Sequence, residues 1–79
     1  MTYSKAIEIR ILSLCDQRDF TISHLARLSK LRQSTIEDIL LGNTRNPTLK
    51  TLHKISRGFQ MTVAEFLDFP EMKEEEFEE

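Results

Sequence analysis

The segment TISHLARLSKLRQSTIEDILLG, residues 21–42, holds two apolar stripes at helical spacing with a short break between them. Thr21 offers a hydroxyl cap, and Ile22, Leu25, Ala26 and Leu28 fall on the inner side of a first short helix. Ala26 is small enough to let another helix come close. That helix is expected to end near Ser29. After a break at Lys30 and Leu31, Ile36, Ile39 and Leu40 mark the buried side of a second helix. It stops at Gly42, a residue free to take the left-handed conformation past a helix end.

Outward from this pair the same arithmetic gives three more helices. Upstream, Ile7, Ile11, Leu14 and Cys15 recur at i, i+4, i+7 and i+8, which predicts a helix over about residues 4–17 with Lys5, Glu8 and Arg10 left for solvent. Downstream, the polar residues 43–47 lead to Thr48 as a cap, and Leu49, Leu52, Ile55 and Phe59 form the apolar stripe of the next helix. The last opens at Thr62, three residues before Glu65, the spacing of a reciprocal capping box, with Val63, Phe66 and Leu67 inside. Two glycines and two prolines in 79 residues are too few turn residues for a β-sandwich, so the fold class is all-α. Connections this short force five helices to cross steeply around one apolar centre. Residues 1–69 read as one helical domain and residues 70–79 as an acidic tail, solvated or disordered.

Composition excludes more than it assigns. A chain of this length has room for one small domain, and one cysteine with two histidines offers neither a disulfide framework nor a zinc pattern. His24 and His53 fall on different helices, and Cys15 sits on an apolar stripe as a small hydrophobe. There is no glycine-rich phosphate loop, nucleophile elbow or paired acids in a cleft-forming context, so no catalysis, metal or cofactor is expected. No apolar run reaches the roughly 18 residues of a membrane span, and the N-terminus lacks a signal-peptide layout, which reads as cytoplasmic. The net charge of -2 conceals a split. Ten of the eleven Lys and Arg residues lie in residues 1–64, whereas eight of the thirteen acids lie in residues 65–79. An anionic partner therefore remains possible on the basic part. The tail keeps two readings, plain solubility or an acidic arm that tunes binding; Phe77 within it is a docking anchor or inert.

Two short helices joined by a turn of three or four residues, with a small residue in the first and an apolar residue in the turn, have helix-turn-helix spacing. In the order Ile22-x-x-Leu25-Ala26, then Leu31, then Ser34-Thr35-Ile36-x-x-Ile39-x-x-Gly42, the chain resembles the phage-repressor-like, xenobiotic-response-element (XRE, Cro/C1-type) family of helix-turn-helix transcriptional regulators. Asn46-Pro47-Thr48-Leu49-x-Thr51-Leu52 and Thr62-Val63-x-Glu65-Phe66-Leu67 resemble the family's linker and closing helix, so the likeness covers about residues 6–68. It implies a compact five-helix, lambda-repressor-like domain. The chain departs from the family pattern at Lys30 and Gln60, where glycine is usual, which predicts either positive φ at both or rebuilt turns. It departs again at Ile22 and Arg32, where glutamine and a capping Ser or Thr are usual.

The resemblance implies that the third helix reads base edges in the major groove of double-stranded DNA through Arg32, Gln33, Ser34, Glu37 and Asp38. Phosphate contacts would come from Thr21 and Ser23, from Asn43, Thr44, Arg45 and Asn46, and from Thr48 and Lys50. It also implies a homodimer on half-sites roughly 34 Å apart. Met61, Phe66 and Phe69 form the candidate dimer surface, with core packing as the other reading of the two phenylalanines. The leading function is a sequence-specific repressor. The competing one is a protein-interaction module of the same fold, antitoxin-like or partner-docking, and RNA binding ranks third because no stacking aromatics line the face.

Overall fold

Four threonines start four of the five helices. A computed structural model describes residues 2–43 and 46–73 and contains α1 (Tyr3–Arg18), α2 (Ile22–Ser29), α3 (Gln33–Leu40), α4 (Leu49–Gly58) and α5 (Val63–Leu67), followed by a 3₁₀ turn, Pro70–Lys73. Thr2, Thr21, Thr48 and Thr62 each accept a hydrogen bond from the backbone N–H three residues on, at 3.0–3.1 Å. Such a cap satisfies one of the donors that every helix start leaves over, a contribution of about 1 kcal/mol each. At Thr62 the box is complete, since Glu65 accepts from the Thr62 N–H at 2.8 Å. Only α3 starts without a side-chain cap; its N-cap is Arg32.

The ends of α1 to α4 follow one device. Asp19, Lys30 and Gln60 adopt left-handed φ of 55°, 57° and 59°, and Gly42 lies at 77°. Each is followed by a residue whose N–H reaches back five positions: Phe20 to Cys15, Leu31 to Ala26, Asn43 to Asp38 and Met61 to Ser56, at 2.8–3.0 Å. This is the Schellman arrangement, and it turns the next side chain inward. Phe20, Leu31 and Met61 accordingly pack against the core. Positive φ at Lys30 and Gln60 was anticipated; Asp19 was not, although aspartate tolerates the left-handed region better than most residues.

The core gathers Ile7, Ile11, Leu14 and Cys15 of α1, Leu25 and Ala26 of α2, Ile36 and Ile39 of α3, and Ile55, Phe59 and Phe66. Phe59 is its centre, with the rings of Phe20 and Phe66 stacked 5.8 and 6.3 Å away. Two α1 arginines seal this cluster. Arg18 donates to the Phe59 carbonyl and lies 5.5 Å over that ring. Arg10 donates to the carbonyls of Phe66 at 2.7 Å and Glu65 at 2.9 Å, and sits 5.3 Å over Phe69. Cations placed on the last carbonyls of a helix satisfy orphan acceptors and offset its dipole. The sequence reading left Arg10 to solvent, and the fold corrects this.

Further corrections concern exposure and the C-terminal boundary. Leu28 and Leu49, both assigned to apolar stripes, are 44% and 69% exposed. Phe66 is 0% and Phe69 5% exposed, so both rings are buried within the chain's own core. Packing also continues past Phe69, where the tail was placed: the Pro70–Lys73 turn lies on α1, and Met72 packs against the core. Lys73 Nζ, 2.8 Å from Asp68 Oδ1, holds that carboxyl below the usual carboxylate range, by hydrogen bond first and charge second. The rest of the acidic tail, including Phe77, lies outside the described residues. No helix among the described residues is long and apolar enough to cross a membrane.

α2 and α4 touch where both are small. A Cβ on Gly58 would stand 2.3 Å from Ser29 Oγ and 3.3 Å from the Ser29 backbone nitrogen. Gly58→Ala should therefore lower stability by about 1–3 kcal/mol, and Ser29→Ala in the same chain should restore part of it, read as non-additive denaturant midpoints. Lys30→Gly and Gln60→Gly should each raise stability by about 0.5–1 kcal/mol, left-handed strain being relieved at some cost in unfolded-chain entropy.

Candidate nucleic-acid interface

α3 is eight residues long, about 12 Å at 1.5 Å per residue, and only its inner side is used by the core. Ile36 and Ile39 point inward, while Arg32, Gln33, Ser34, Glu37 and Asp38 are all exposed. These five, the sequence-predicted reading residues, thus share the outer surface of one short helix. Spacing of four residues pairs Gln33 with Glu37 and Ser34 with Asp38 along it. The first pair is joined: Gln33 Nε2 donates to Glu37 Oε2 at 3.1 Å. Glu37, whose carboxylate sits awkwardly near an anionic partner, therefore has a task within the helix, which is to orient the glutamine amide.

The backbone at Arg32 is extended, φ -70° and ψ 143°, as an N-cap requires, yet its side chain makes no capping bond. The cap position is occupied by a long cation at the open end of the helix. α2, α3 and α4 carry no acidic residue in their first turns, so the partial positive charge of each helix start is offset by no carboxylate there.

The predicted phosphate-contacting residues divide by position. Thr21 and Ser23 lie exposed at the start of α2. Asn43, Asn46, Thr48 and Lys50 lie exposed along the passage from α3 into α4, whereas Thr44 and Arg45 fall outside the described residues. The Thr21 hydroxyl accepts from the His24 N–H, and the Thr48 hydroxyl both accepts from the Thr51 N–H and donates to Thr51 Oγ1 at 3.0 Å. The Thr48 hydroxyl is thus engaged as acceptor and donor, the Thr21 hydroxyl keeps its proton to donate, and among the described residues Ser23, Asn43, Asn46 and Lys50 cap no helix. His24 Nδ1 lies 2.8 Å from an Arg27 nitrogen with its ring edge-on to Phe20, a surface pair.

Sequence reasoning left Arg10 to solvent and assigned Arg18 no role, yet both bond to backbone carbonyls. Their partners are 56 and 41 residues away, so no local signal marks them as structural. Among the described residues no group of three His, Cys, Asp or Glu could hold a metal. Burial raises the Cys15 thiol pKa, which removes the thiolate a reactive cysteine needs.

An uncovered short helix carried by a tight turn on a five-helix core defines a helix-turn-helix domain of the DNA-binding class. The model of the Cro/C1-type helix-turn-helix DNA-binding domain matches residues 10–71, and the chain belongs to that family. Among solved structures, the crystal structure of the prophage Lp1 protein 11 superposes with a TM-score of 0.81 at 30% identity, over 94% of this chain and 97% of that one. No curated protein matches the sequence.

The uncapped start of α3 makes a measurable prediction. Arg32→Ser installs the missing hydroxyl and should raise stability by about 1 kcal/mol, read from the denaturant midpoint at unchanged slope.

Proposed function

We propose that this protein is a sequence-specific transcriptional regulator, a repressor, that binds double-stranded DNA as a homodimer and sets α3 into the major groove. The observation that carries the reading is the N-terminal half of α3: its outer side is bare, and Arg32 holds the cap position without capping it. An arginine where a serine would stabilise the fold fits a binding function that exchanges some stability for a cation at the helix start. Arg32 would address guanine O6 and N7 with two donors. Gln33 gives one amide proton to Glu37, which leaves the other proton and the carbonyl oxygen to meet adenine N7 and N6. Ser34 and Asp38, one turn apart, complete the strip, with Asp38 suited to a cytosine amino group.

Affinity would come from phosphates. Lys50 and the amides of Asn43 and Asn46, with Thr21 and Ser23 and with Thr44 and Arg45 of the same loop, would hold the backbone while carrying no base information. Two copies on half-sites roughly 34 Å apart would supply the contacts one small domain lacks. Of the residues first considered for the dimer surface, only Met61 is not fully buried. A cytoplasmic location accords with this role.

The test is fluorescence anisotropy against a selected duplex and a scrambled one at two salt concentrations. Gln33→Ala should cost about 1–3 kcal/mol on the selected duplex and little on the scrambled one. Lys50→Ala should weaken both alike and reduce the salt slope by about one. Identical behaviour of the two variants would defeat the assignment of roles. Arg32→Ser should lose affinity while gaining stability.

A further inference from the structure

The C-terminal ends of α2 and α4 enclose a cleft of about 310 Å³ lined by Leu28, Ser29, Lys30, Lys54 and Arg57. Three of these side chains are cations, and none is a carboxylate. The side chains of Lys30, Lys54 and Arg57 make no ion pair or hydrogen bond with any described residue. Lys30 and Arg57 are exposed, whereas Lys54 is half-buried in the wall. Ser29 closes the cleft from within: it is 3% exposed, and its Oγ has no hydrogen-bond partner among the described residues. Helix dipoles account for one cation at each helix end, Lys30 on α2 and Arg57 on α4. Lys54, a turn further back on α4, falls outside that account and stands in one wall with two like charges. Lys30 moreover keeps its charge at a left-handed φ of 57° that glycine would adopt without strain.

Both ends of this charged wall adjoin residues that the function proposed above sets on the duplex, and the inference rests on that reading. Lys50, Lys54 and Arg57 recur at i, i+4 and i+7, so they share one side of α4 over about 10 Å at 1.5 Å per residue. At the other end Lys30 stands two residues before Arg32, the N-cap of α3, which holds their Cα atoms within about 7 Å of each other. The major groove is about 12 Å wide, so an α3 seated on its midline has a phosphate strand about 6 Å to either side. A single strand carries one phosphate per roughly 3.4 Å of axis, and a row of cations of that length meets about three. We infer that the cleft is a further phosphate-binding site, which grips the strand beside the start of α3 and makes Lys50, Lys54, Arg57 and Lys30 one continuous track. A phosphate seated there neutralises the like charges and supplies the acceptor that the Ser29 hydroxyl lacks. Left-handed strain at Lys30 then has a use, since glycine would relax the turn and leave the strand without its cation.

Anisotropy titrations of the full chain with the selected and the scrambled duplex test it. Lys54→Gln combined with Arg57→Gln should weaken both duplexes alike, about 10–100-fold at 0.1 M salt, and lower the salt slope by about two. Lys54→Arg combined with Arg57→Lys should keep both values. Lys30→Gly should lower the slope by about one while raising the denaturant midpoint, so its lost affinity cannot be assigned to unfolding. Selected duplexes carrying one neutral methylphosphonate at a time should bind the unaltered chain less well at adjacent positions of one strand, and the Lys54→Gln, Arg57→Gln chain should be indifferent to them. Undiminished affinity and slope in that double variant, with Lys50→Ala still weakening both duplexes, would overturn the inference and leave the proposed function standing. A loss confined to the selected duplex would overturn it too, because a phosphate carries no sequence. An unaltered chain without affinity for any duplex would remove the proposed function and this site together.

Discussion

The turn at Lys30 is the constraint on which the rest of the molecule depends. One residue in the left-handed region ends α2, lets the Leu31 N–H return to the Ala26 carbonyl at 3.0 Å, and sends the Leu31 side chain into the core. The next residue, Arg32, then emerges as the N-cap of α3, and its side chain is left outside. Strain of about 1–2 kcal/mol at a non-glycine residue is offset in part by the partial burial of Leu31, whose full burial would be worth about 1.5–3 kcal/mol. Had α2 continued one more turn, Ile36 and Ile39 would lose their inward direction, and no side of α3 would be free of the core. The interface is therefore a product of where a helix stops, and the same device recurs at Asp19, Gly42 and Gln60.

The arginines show how one residue type is divided between structure and surface. Arg10 and Arg18, in α1, spend their donors on the carbonyls of Glu65, Phe66 and Phe59, closing the ends of α4 and α5 over a three-ring stack. Their charges compensate orphan acceptors and lie on aromatic faces, so they serve packing. Arg32 and Arg57 make no such bond and stay exposed. The positive charge of the folded part is thus partly consumed internally, and what remains is concentrated around α3, around the passage to α4, and at the joined ends of α2 and α4. Belonging to the Cro/C1-type family agrees with the first two of these.

Local spacing and local chemistry were enough for the sequence to specify the helices, the caps at Thr21, Thr48 and Thr62 and the capping box, while the left-handed turns at Lys30 and Gln60 were expected from the family resemblance and the Thr2 cap was not foreseen. Each of these depends on atoms no more than five residues apart, a range that periodicity and cap chemistry describe. The exposed side of α3 was legible for the same reason, since a helix carries its outer side in its own sequence. Tertiary structure alone decided the fate of Arg10, Arg18, Phe66 and Phe69, the exposure of Leu28 and Leu49, and the extension of packing to Met72. Those outcomes depend on which helix end arrives beside which side chain, sometimes from more than fifty residues away, and on whether the opposing residue is as small as Gly58 or as large as Phe59. Burial belongs to pairs of surfaces in space, and a single stripe of apolar residues states which side seeks cover without stating what provides it.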